Sequence, residues 1–254
     1  MSSTTTVLIT GANRGIGHGL VSAYLGRSNT TVIAAVRNVA TAESLRSLPK
    51  SSGSRLIVIE IDVASSDPIR RGIESLTAEY ELDSLDIVIA NAGMAVKSAK
   101  LIEMATHDIQ RFVDVNAYGQ LELFRAVLPL LRRSKKAAKG KFMYMSSIGG
   151  SLTTMDNMLP AAAYGASKAL GNFFVKWLSL EQQHVVIWAQ HPGLVATETA
   201  KAALEDMKSQ GPDLTSLALP VDKVCQDLLQ LTENATLETT HGKFLGPDGE
   251  ELPW

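Results

Sequence analysis

Cysteine, excess charge and long apolar runs are all scarce in this sequence, and each scarcity excludes a class of protein. The 254 residues include one cysteine, so no internal disulfide forms, and no CxxC motif or Cys/His cluster suggests a metal site. The 24 Lys and Arg residues nearly balance 26 Asp and Glu residues. The net charge of −2 offers no basic field for nucleic acid or an anionic membrane surface. No apolar run approaches the roughly 18 residues of a membrane-spanning helix.

The first six residues lack the basic start of a secretory signal, and a predicted strand follows them at once. We therefore expect a cytoplasmic protein with no nucleic-acid or membrane partner. The composition, 45% hydrophobic and 20% charged, is typical of a globular protein.

Short apolar runs alternate with helix-length segments along the chain. The runs are rich in Val and Ile, which predicts strands buried on both faces of a parallel sheet, at residues 7–9, 31–36, 56–61, 86–90, 141–145, 185–189 and 243–245. The segments between them predict helices at residues 16–25, 41–48, 68–80, 106–131, 161–182 and 222–231. No Pro-, Gly- or Ser-rich linker divides the chain. The sequence therefore predicts one α/β domain over residues 1–254, a doubly wound parallel sheet of Rossmann type with helices on both faces.

A glycine-rich turn follows the first predicted strand and opens the first helix. After Thr10 it consists of Gly11, Ala12, Asn13, Arg14, Gly15, Ile16 and Gly17. Glycines let the backbone turn tightly and approach a pyrophosphate, which the first N–H groups of the helix then face. The turn predicts a dinucleotide site, although similar glycine turns are also purely structural.

The residues after the second strand indicate which dinucleotide would bind. No Asp or Glu lies between residues 30 and 42, so the usual acidic partner of the NAD ribose is missing. Arg37 and Arg14 are instead placed to bind a 2′-phosphate, which predicts NADP(H); alternatively, both are solvated loop residues. Asp62 and Val63, after the third strand, are placed to meet the adenine edge, unless Asp62 merely precedes a helix.

Tyr164 and Lys168 form a candidate proton-transfer pair. Their separation of four residues puts the phenol and the ammonium on one face of a helix. We expect the cation to lower the tyrosine pKa from about 10 towards the working pH, so that the phenol donates and recovers a proton. A Y-x-x-x-K pattern also arises by chance, so the residues around it decide its meaning.

Polar residues follow three further strands or interrupt a helix. Ser147 follows the fifth strand, where its hydroxyl would polarise a substrate carbonyl or simply cap a turn. Asn91, Ala92 and Gly93 follow the fourth strand, beside the predicted cofactor. Asn116 breaks a long helical pattern, where it would hold a water or lie at the surface.

The sixth strand is followed by a turn that contains Pro192 and Gly193. Beyond it, Val195 and Thr197 offer a backbone and a hydroxyl that would hold the nicotinamide amide. Pro-Gly is also an ordinary turn sequence.

Together these motifs resemble those of the short-chain dehydrogenases/reductases. The resemblance spans about residues 5–200. It implies that Tyr164 is the acid/base, that Ser147 holds the carbonyl, and that Lys168 binds ribose and tunes the tyrosine. It also implies that Asn116 holds a water linking Lys168 to solvent. The residues it implies for the cofactor lining are Gly11, Gly15, Gly17, Asp62, Asn91 and Thr197.

The closing stretch, residues 242–249 with 252–254, resembles sniffer-like carbonyl reductases and fungal ketoreductases of the norsolorinic acid type. This implies an NADPH-dependent ketoreductase for an apolar ketone, with aromatic and polyketide-derived ketones as candidates. The alternatives are alcohol oxidation by the same site, a redox-neutral enzyme on the same scaffold, and a non-catalytic NADP(H)-binding regulator.

Two segments bear on the substrate and on assembly. The segment between Ser147 and Tyr164 is longer than in many relatives. Residues 194–220 are predicted to be a lid over the substrate or an ordinary helix and loop. Helices 106–131 and 161–182 are where relatives usually pair into homodimers or homotetramers, although sniffer-like members need not. Met94, Met155 and Met158 flank the motifs and would either line a broad apolar substrate pocket or pack in the core or at its rim; the longer segment also contains Leu152 and Leu159.

Overall fold

The fold is taken from a computed structural model of the chain. It describes residues 4–94, 100–136, 139–155, 161–198, 200–201, 204 and 215–254. Met158, Leu159 and part of the predicted lid lie outside these residues.

Seven parallel strands form one sheet across the described residues, in the order β3-β2-β1-β4-β5-β6-β7. Their bounds are β1 Thr5–Thr10, β2 Thr30–Val36, β3 Arg55–Glu60, β4 Ile87–Ala90, β5 Gly140–Met145, β6 Val185–Gln190 and β7 Phe244–Leu245. The predicted doubly wound α/β fold is confirmed. Because the strands are parallel, their carboxyl ends all lie at one edge of the sheet, where ligands bind in such folds.

Helices connect the strands and cover both faces of the sheet. They are α1 Gly15–Leu25, α2 Glu43–Arg46, α3 Ser66–Ala78, α4 Thr106–Val113, α5 Gly119–Leu131, α6 Ala162–Glu181 and α7 Val221–Asn234. The predicted helix at residues 41–48 is shorter than expected, since a 3-10 turn at Val39–Thr41 precedes α2. Short turns of 3-10 helix also lie at Leu101–Glu103, Ile148–Gly150 and Thr215–Leu217.

Successive residues of each strand point to opposite faces of the sheet and pack in two separate apolar layers. Val7 and Ile9 pack in the layer that contains Trp188, whereas Leu8 and Ile187 pack in the opposite layer. All five are fully buried. This arrangement explains the absence of polar alternation in the sequence, because each strand has apolar neighbours on both sides.

The predicted helix at residues 106–131 is one run with an altered middle turn. A π turn at Asp114–Tyr118 joins α4 to α5. The polar break at Asn116 that the sequence suggests is the centre of this turn, and the residue is fully buried rather than at the surface. Single π turns are often found at functional sites.

No helix among the described residues is both long and apolar enough to cross a membrane.

Gly119 fixes the π turn against the loop after β3, because a side chain there would not fit. A Cβ atom at Gly119 would lie 2.0 Å from the Val63 carbonyl oxygen, which is backbone and cannot rotate away. We expect Gly119→Ala to lower the free energy of unfolding by about 3 kcal/mol or more, measured by urea denaturation.

The matched control is Gly26→Ala at the end of α1, where φ is −70° and the nearest oxygen lies 3.2 Å from the added Cβ. It should change stability by less than about 1 kcal/mol. Equal effects of the two substitutions would contradict the close approach at Gly119.

Candidate active site

The candidate site residues lie just beyond the carboxyl ends of six neighbouring strands. They follow β1 to β6 in turn and include Gly11, Arg37, Asp62, Asn91, Ser147 and His191. The parallel topology thus brings together groups that are up to 180 residues apart in the chain.

The glycine turn adopts a conformation that favours glycine. Gly11 and Gly15 have φ values of +64° and +55°. A Cβ at Gly17 would lie 2.2 Å from the Gly11 carbonyl oxygen, so α1 starts directly against the turn. Arg14 precedes α1 in an extended conformation, and no side chain caps the helix. The first N–H groups of α1 therefore point towards the edge of the sheet, as a pyrophosphate site requires.

The end of β4 is bonded to this turn. Asn91 Nδ2 donates to the carbonyl oxygens of Thr10 at 2.9 Å and Gly11 at 3.4 Å. The Ala92 N–H donates to Thr10 Oγ1 at 3.0 Å. A Cβ at Gly93 would lie 3.7 Å from Lys168 Nζ, so glycine keeps the space in front of the lysine open. Residues 91–93 therefore link the glycine turn to the proton-transfer residues.

Arg14 and Arg37 are exposed at the same edge. The Ala12 N–H donates to the Ala35 carbonyl oxygen at 3.2 Å, which joins the turn to the end of β2 two residues before Arg37. Within the part of the chain that is described, no ion pair links either guanidinium to a carboxylate. Both cations are therefore available to an anionic ligand. Asn13 is also exposed, and Ile16 is partly buried against the core.

Asp62 and Val63 form the loop after β3. Asp62 Oδ1 accepts a hydrogen bond from the Ala64 N–H at 3.0 Å, so one carboxylate oxygen stabilises its own turn. Val63 is 5% exposed. Asp62 therefore stabilises the loop after β3, as the structural interpretation holds. Its contact with the adenine edge remains a prediction.

Lys168 is buried in the middle of the candidate site. Its ammonium donates to the Met145 carbonyl oxygen at 2.7 Å and lies 4.9 Å from the centre of the Tyr144 ring. It lies 5.7 Å from the centre of the Tyr164 ring. Burial lowers the pKa of Lys168 from its ordinary 10.5 to about 7. The charge of this lysine is therefore sensitive to small changes around neutral pH.

Tyr164 and Ser147 meet as the sequence predicts, but the pKa of the tyrosine moves the other way. Burial raises the pKa of Tyr164, and a hydrogen bond with Ser147 opposes the rise. The expected lowering by Lys168 is thus wrong for this structure, because desolvation of the phenolate by burial is the largest effect on its pKa. A raised pKa keeps the phenol protonated at neutral pH, which suits a proton donor.

Ser147 lies two residues after the end of β5 and caps the short turn Ile148–Gly150. Its Oγ accepts a hydrogen bond from the Gly149 N–H at 3.2 Å. The serine is therefore a cap, as the simpler interpretation holds, and also a partner of Tyr164. Since the cap uses Oγ as an acceptor, the hydroxyl hydrogen is left to a neighbouring oxygen.

Asn116 uses its side chain to hold the chain after β4. Oδ1 accepts from the Met94 N–H at 2.8 Å, and Nδ2 donates to the Met94 carbonyl at 3.3 Å and to Ser167 Oγ at 3.0 Å. Its main-chain oxygen accepts from the Tyr144 hydroxyl at 2.8 Å. The implied water-holding role of Asn116 remains a prediction.

The loop after β6 crosses the glycine turn. A Cβ at Gly15 would lie 3.2 Å from Thr197 Cγ2. Pro192 is buried and Gly193 has φ +80°. Val195 forms a parallel bridge with Leu219, so the two ends of the predicted lid are paired. Whether residues 194–220 close over a substrate remains a prediction.

Two residues of this site, Tyr144 and Asn172, belong to none of the motifs that the sequence analysis identified. Tyr144 lies under Lys168 and binds Asn116, as described above. Asn172 Oδ1 accepts from Ser146 Oγ at 2.6 Å, and its Nδ2 donates to the Gly150 carbonyl at 3.3 Å. It therefore holds the residues on either side of Ser147. The available signal was its spacing of four residues from Lys168, which puts both on one helix face.

The site fits a nicotinamide dinucleotide. Gly11, Gly15 and Gly17 form a turn that side chains would fill, and the arginines beside it lack carboxylate partners in the described ranges. No group of three or more His, Cys, Asp or Glu residues that would hold a metal ion occurs in those ranges.

The chain is similar to known proteins over nearly its whole length. The family model described as short chain dehydrogenase matches residues 5–208. The short chain dehydrogenase gsfK of Penicillium aethiopicum is 50% identical over 251 residues, which cover 98% of this chain and 99% of that protein. The norsolorinic acid ketoreductase nor1 of Dothistroma septosporum is 34% identical, with 100% of this chain and 94% of that protein covered.

Solved structures agree with the sequence relatives. An NADPH-bound carbonyl reductase from chicken fatty liver has a TM-score of 0.85 at 25% identity, covering 99% of this chain and 100% of that one. The carbonyl reductase Sniffer of D. melanogaster has a TM-score of 0.83 at 26% identity, with the same coverage. Both the family and the finer resemblance predicted from sequence are confirmed. This chain belongs to the short-chain dehydrogenase family and is an oxidoreductase enzyme.

Proposed function

We propose that this enzyme is an NADPH-dependent ketoreductase that uses Tyr164 as its general acid. The observation that carries the proposal is the meeting of Ser147, Tyr164 and Lys168 beside the glycine turn, where the Lys168 ammonium lies 5.7 Å from the centre of the Tyr164 ring. A protonated phenol next to a hydroxyl is suited to deliver a proton to a carbonyl oxygen.

The proposed mechanism divides the work between two oxygens. The Ser147 hydroxyl donates a hydrogen bond to the substrate carbonyl oxygen and polarises the C=O bond. Tyr164 transfers its phenolic proton to that oxygen as negative charge develops there. The residues of the glycine turn would hold a reduced nicotinamide dinucleotide, which when bound would provide the hydride for the carbonyl carbon.

Lys168 has two parts in this scheme. Its ammonium stabilises the tyrosinate that remains after proton transfer, since an opposite charge nearby favours the ionised form. It also lies where the family resemblance implies ribose binding. Asn116 supports both proposed roles of Lys168 by holding Met94 and Ser167 in place.

NADP(H) is proposed over NAD because of Arg14 and Arg37. Both are exposed cations at the edge of the sheet near the glycine turn, and the segment after β2 has no acidic residue. The NADPH-bound carbonyl reductase of similar fold supports this choice. We propose that further residues also contact the cofactor. They are Asn13 and Ile16 in the turn, Asp62 and Val63, Asn91 to Gly93, and Pro192, Gly193, Val195 and Thr197.

We propose an apolar ketone, aromatic or polyketide-derived, as the substrate. The relative at 34% identity is named for a ketoreductase of norsolorinic acid. Leu152 and Met155, on the loop after Ser147, are 69% and 66% exposed, so they offer apolar surface beside the proposed site.

Self-association remains a prediction that the surface of α6 supports. Phe173, Trp177 and Leu180 are 59%, 54% and 62% exposed, and the two aromatic rings stack at 5.9 Å. An apolar strip of this kind is suited to pairing with a second copy of the chain.

Removing the proposed acid should abolish reduction. We expect Tyr164→Phe to lower the rate of ketone reduction by about 10²-fold or more, because the ring remains and the proton donor is lost. The measurement is the loss of NADPH absorbance with a panel of aryl ketones. Tyr118→Phe, on the outer face at 47% exposure, is the matched control and should retain activity. Full activity of Tyr164→Phe would refute the assignment, and conversion of substrate without cofactor consumption would favour a redox-neutral enzyme.

Cofactor choice should depend on Arg37. We expect Arg37→Ser to weaken NADPH binding about tenfold and to leave NADH binding unchanged, because one charge-assisted hydrogen bond is lost. Titration by intrinsic fluorescence measures both affinities. Arg46→Ser, at an exposed position in α2, is the control and should change neither. Tighter binding of NADH than NADPH by the unaltered enzyme would contradict the proposed role.

The buried Lys168 should lower the stability of the folded protein at low pH. Its folded-state pKa of about 7 lies below its ordinary 10.5, so the folded state disfavours the proton. The resulting penalty is complete below pH 7 and is lost as the pH rises from 7 to 10.5. We expect Lys168→Met to melt at a higher temperature than the unaltered enzyme at pH 6, with a gap that narrows towards pH 10, while activity is lost. Lys223→Met, at an exposed site, should show no such pH dependence. A gap that is constant with pH would be inconsistent with a depressed lysine pKa.

A further inference from the structure

The last residues of the chain fold back along β7. Leu245 and Glu251 form an antiparallel bridge, and the Leu252 N–H donates to the Phe244 carbonyl at 2.7 Å. The Gly246 N–H donates to the Glu250 carbonyl at 2.8 Å. We call residues 251–254 the closing strap. It returns the chain from the edge of the sheet towards α6.

Trp254 is the anchored end of the closing strap. Its ring lies 5.5 Å from the ring of Phe244, and Lys176 Nζ lies 5.6 Å from its centre. The same Nζ donates to the Gly242 carbonyl at 2.7 Å, so the cation is itself held in place. A ring that contacts both a buried aromatic ring and a held cation has little freedom to move.

The closing strap holds the loop that follows Ser147. The Trp254 main-chain oxygen accepts two hydrogen bonds from Thr153, one from Oγ1 at 2.9 Å and one from the N–H at 3.3 Å. Thr153 is exposed, and so are its neighbours Leu152 and Met155. The loop is also held within itself, since the Thr154 N–H donates to Oγ of the buried Ser151 at 3.2 Å.

The other end of the same loop is packed on the proposed catalytic lysine. A Cβ at Gly150 would lie 2.8 Å from Lys168 Cβ, and the Gly150 carbonyl accepts from Asn172. Leu152 follows two residues later, so its Cα lies within about 8 Å of the Gly150 Cα. The loop therefore runs from the reacting groups to the strap, with Leu152 just before the strap contact at Thr153 and Met155 two residues after it.

We propose that the closing strap determines substrate specificity by holding Thr153, which sets the position of Leu152 and Met155 as one wall of the ketone site. The inference rests on the proposed ketoreductase function. A ketone with a large apolar body reaches this wall and gains binding from it, whereas a small ketone binds only at Ser147 and Tyr164. Releasing the strap loosens the wall, so it affects binding of the large ketone more than the chemical step.

The test uses Thr153→Val, which removes the hydroxyl donor at nearly constant volume, and Thr153→Ser as the matched control that retains it. Acetonaphthone and acetone are the large and small ketones. We expect Thr153→Val to raise KM for acetonaphthone about fivefold with kcat nearly unchanged, as for the loss of one hydrogen bond of about 1 kcal/mol. The values for acetone and for Thr153→Ser should match those of the unaltered enzyme.

A second measurement follows the loop without turnover. Hydrogen exchange of a peptide covering residues 148–155 should be faster in Thr153→Val and in Trp254→Ala, and unchanged in Thr153→Ser. An unchanged ratio of kcat/KM between the two ketones, or an equal loss of kcat for both, would overturn the specificity role while leaving the proposed function intact. Failure of the unaltered enzyme to reduce any ketone would overturn the proposed function itself.

Discussion

The buried ammonium of Lys168 is the constraint around which this site is organised. Its contacts are the Met145 carbonyl and the faces of two tyrosine rings, and desolvation dominates its pKa. A buried cation held in this way is costly, because neither a carbonyl nor a ring repays the loss of water in full. The destabilisation by this buried cation arises where α6 meets the end of β5. Cost of this kind is typical of groups retained for chemistry rather than for stability.

One face of α6 organises the active site through four residues spaced four apart. Tyr164 and Lys168 are the proposed reacting pair, and Asn172 holds the chain on both sides of Ser147. Lys176, one turn further, holds the segment that includes Gly242 and Trp254. Because a helix is stiff over three turns, the proton donor, the serine loop and the closing strap share a single rigid support.

Much of this arrangement follows from local sequence. Apolar runs predict the strands, and parallel order then places Ser147 and the glycine turn at one edge. What sequence alone does not supply are contacts between distant segments: Tyr144 to Asn116, and Asn172 to Gly150, each join residues more than twenty positions apart. The direction of the Tyr164 pKa was missed for the same reason, since burial depends on everything packed around the phenol.

The π turn at Asp114–Tyr118 joins α4 and α5 in one helical run. A π turn amounts to one extra residue in an otherwise regular helix, absorbed by a single wider turn. Phe112 is buried before the turn and Leu123 is buried after it, so the helix faces on both sides of the turn stay against the core. Deleting a single residue here would restore an ordinary helix and remove the wide turn that carries Asn116, while the apolar faces of α4 and α5 kept their alignment. The position of Asn116 therefore depends on the number of residues in this segment as well as on their identity.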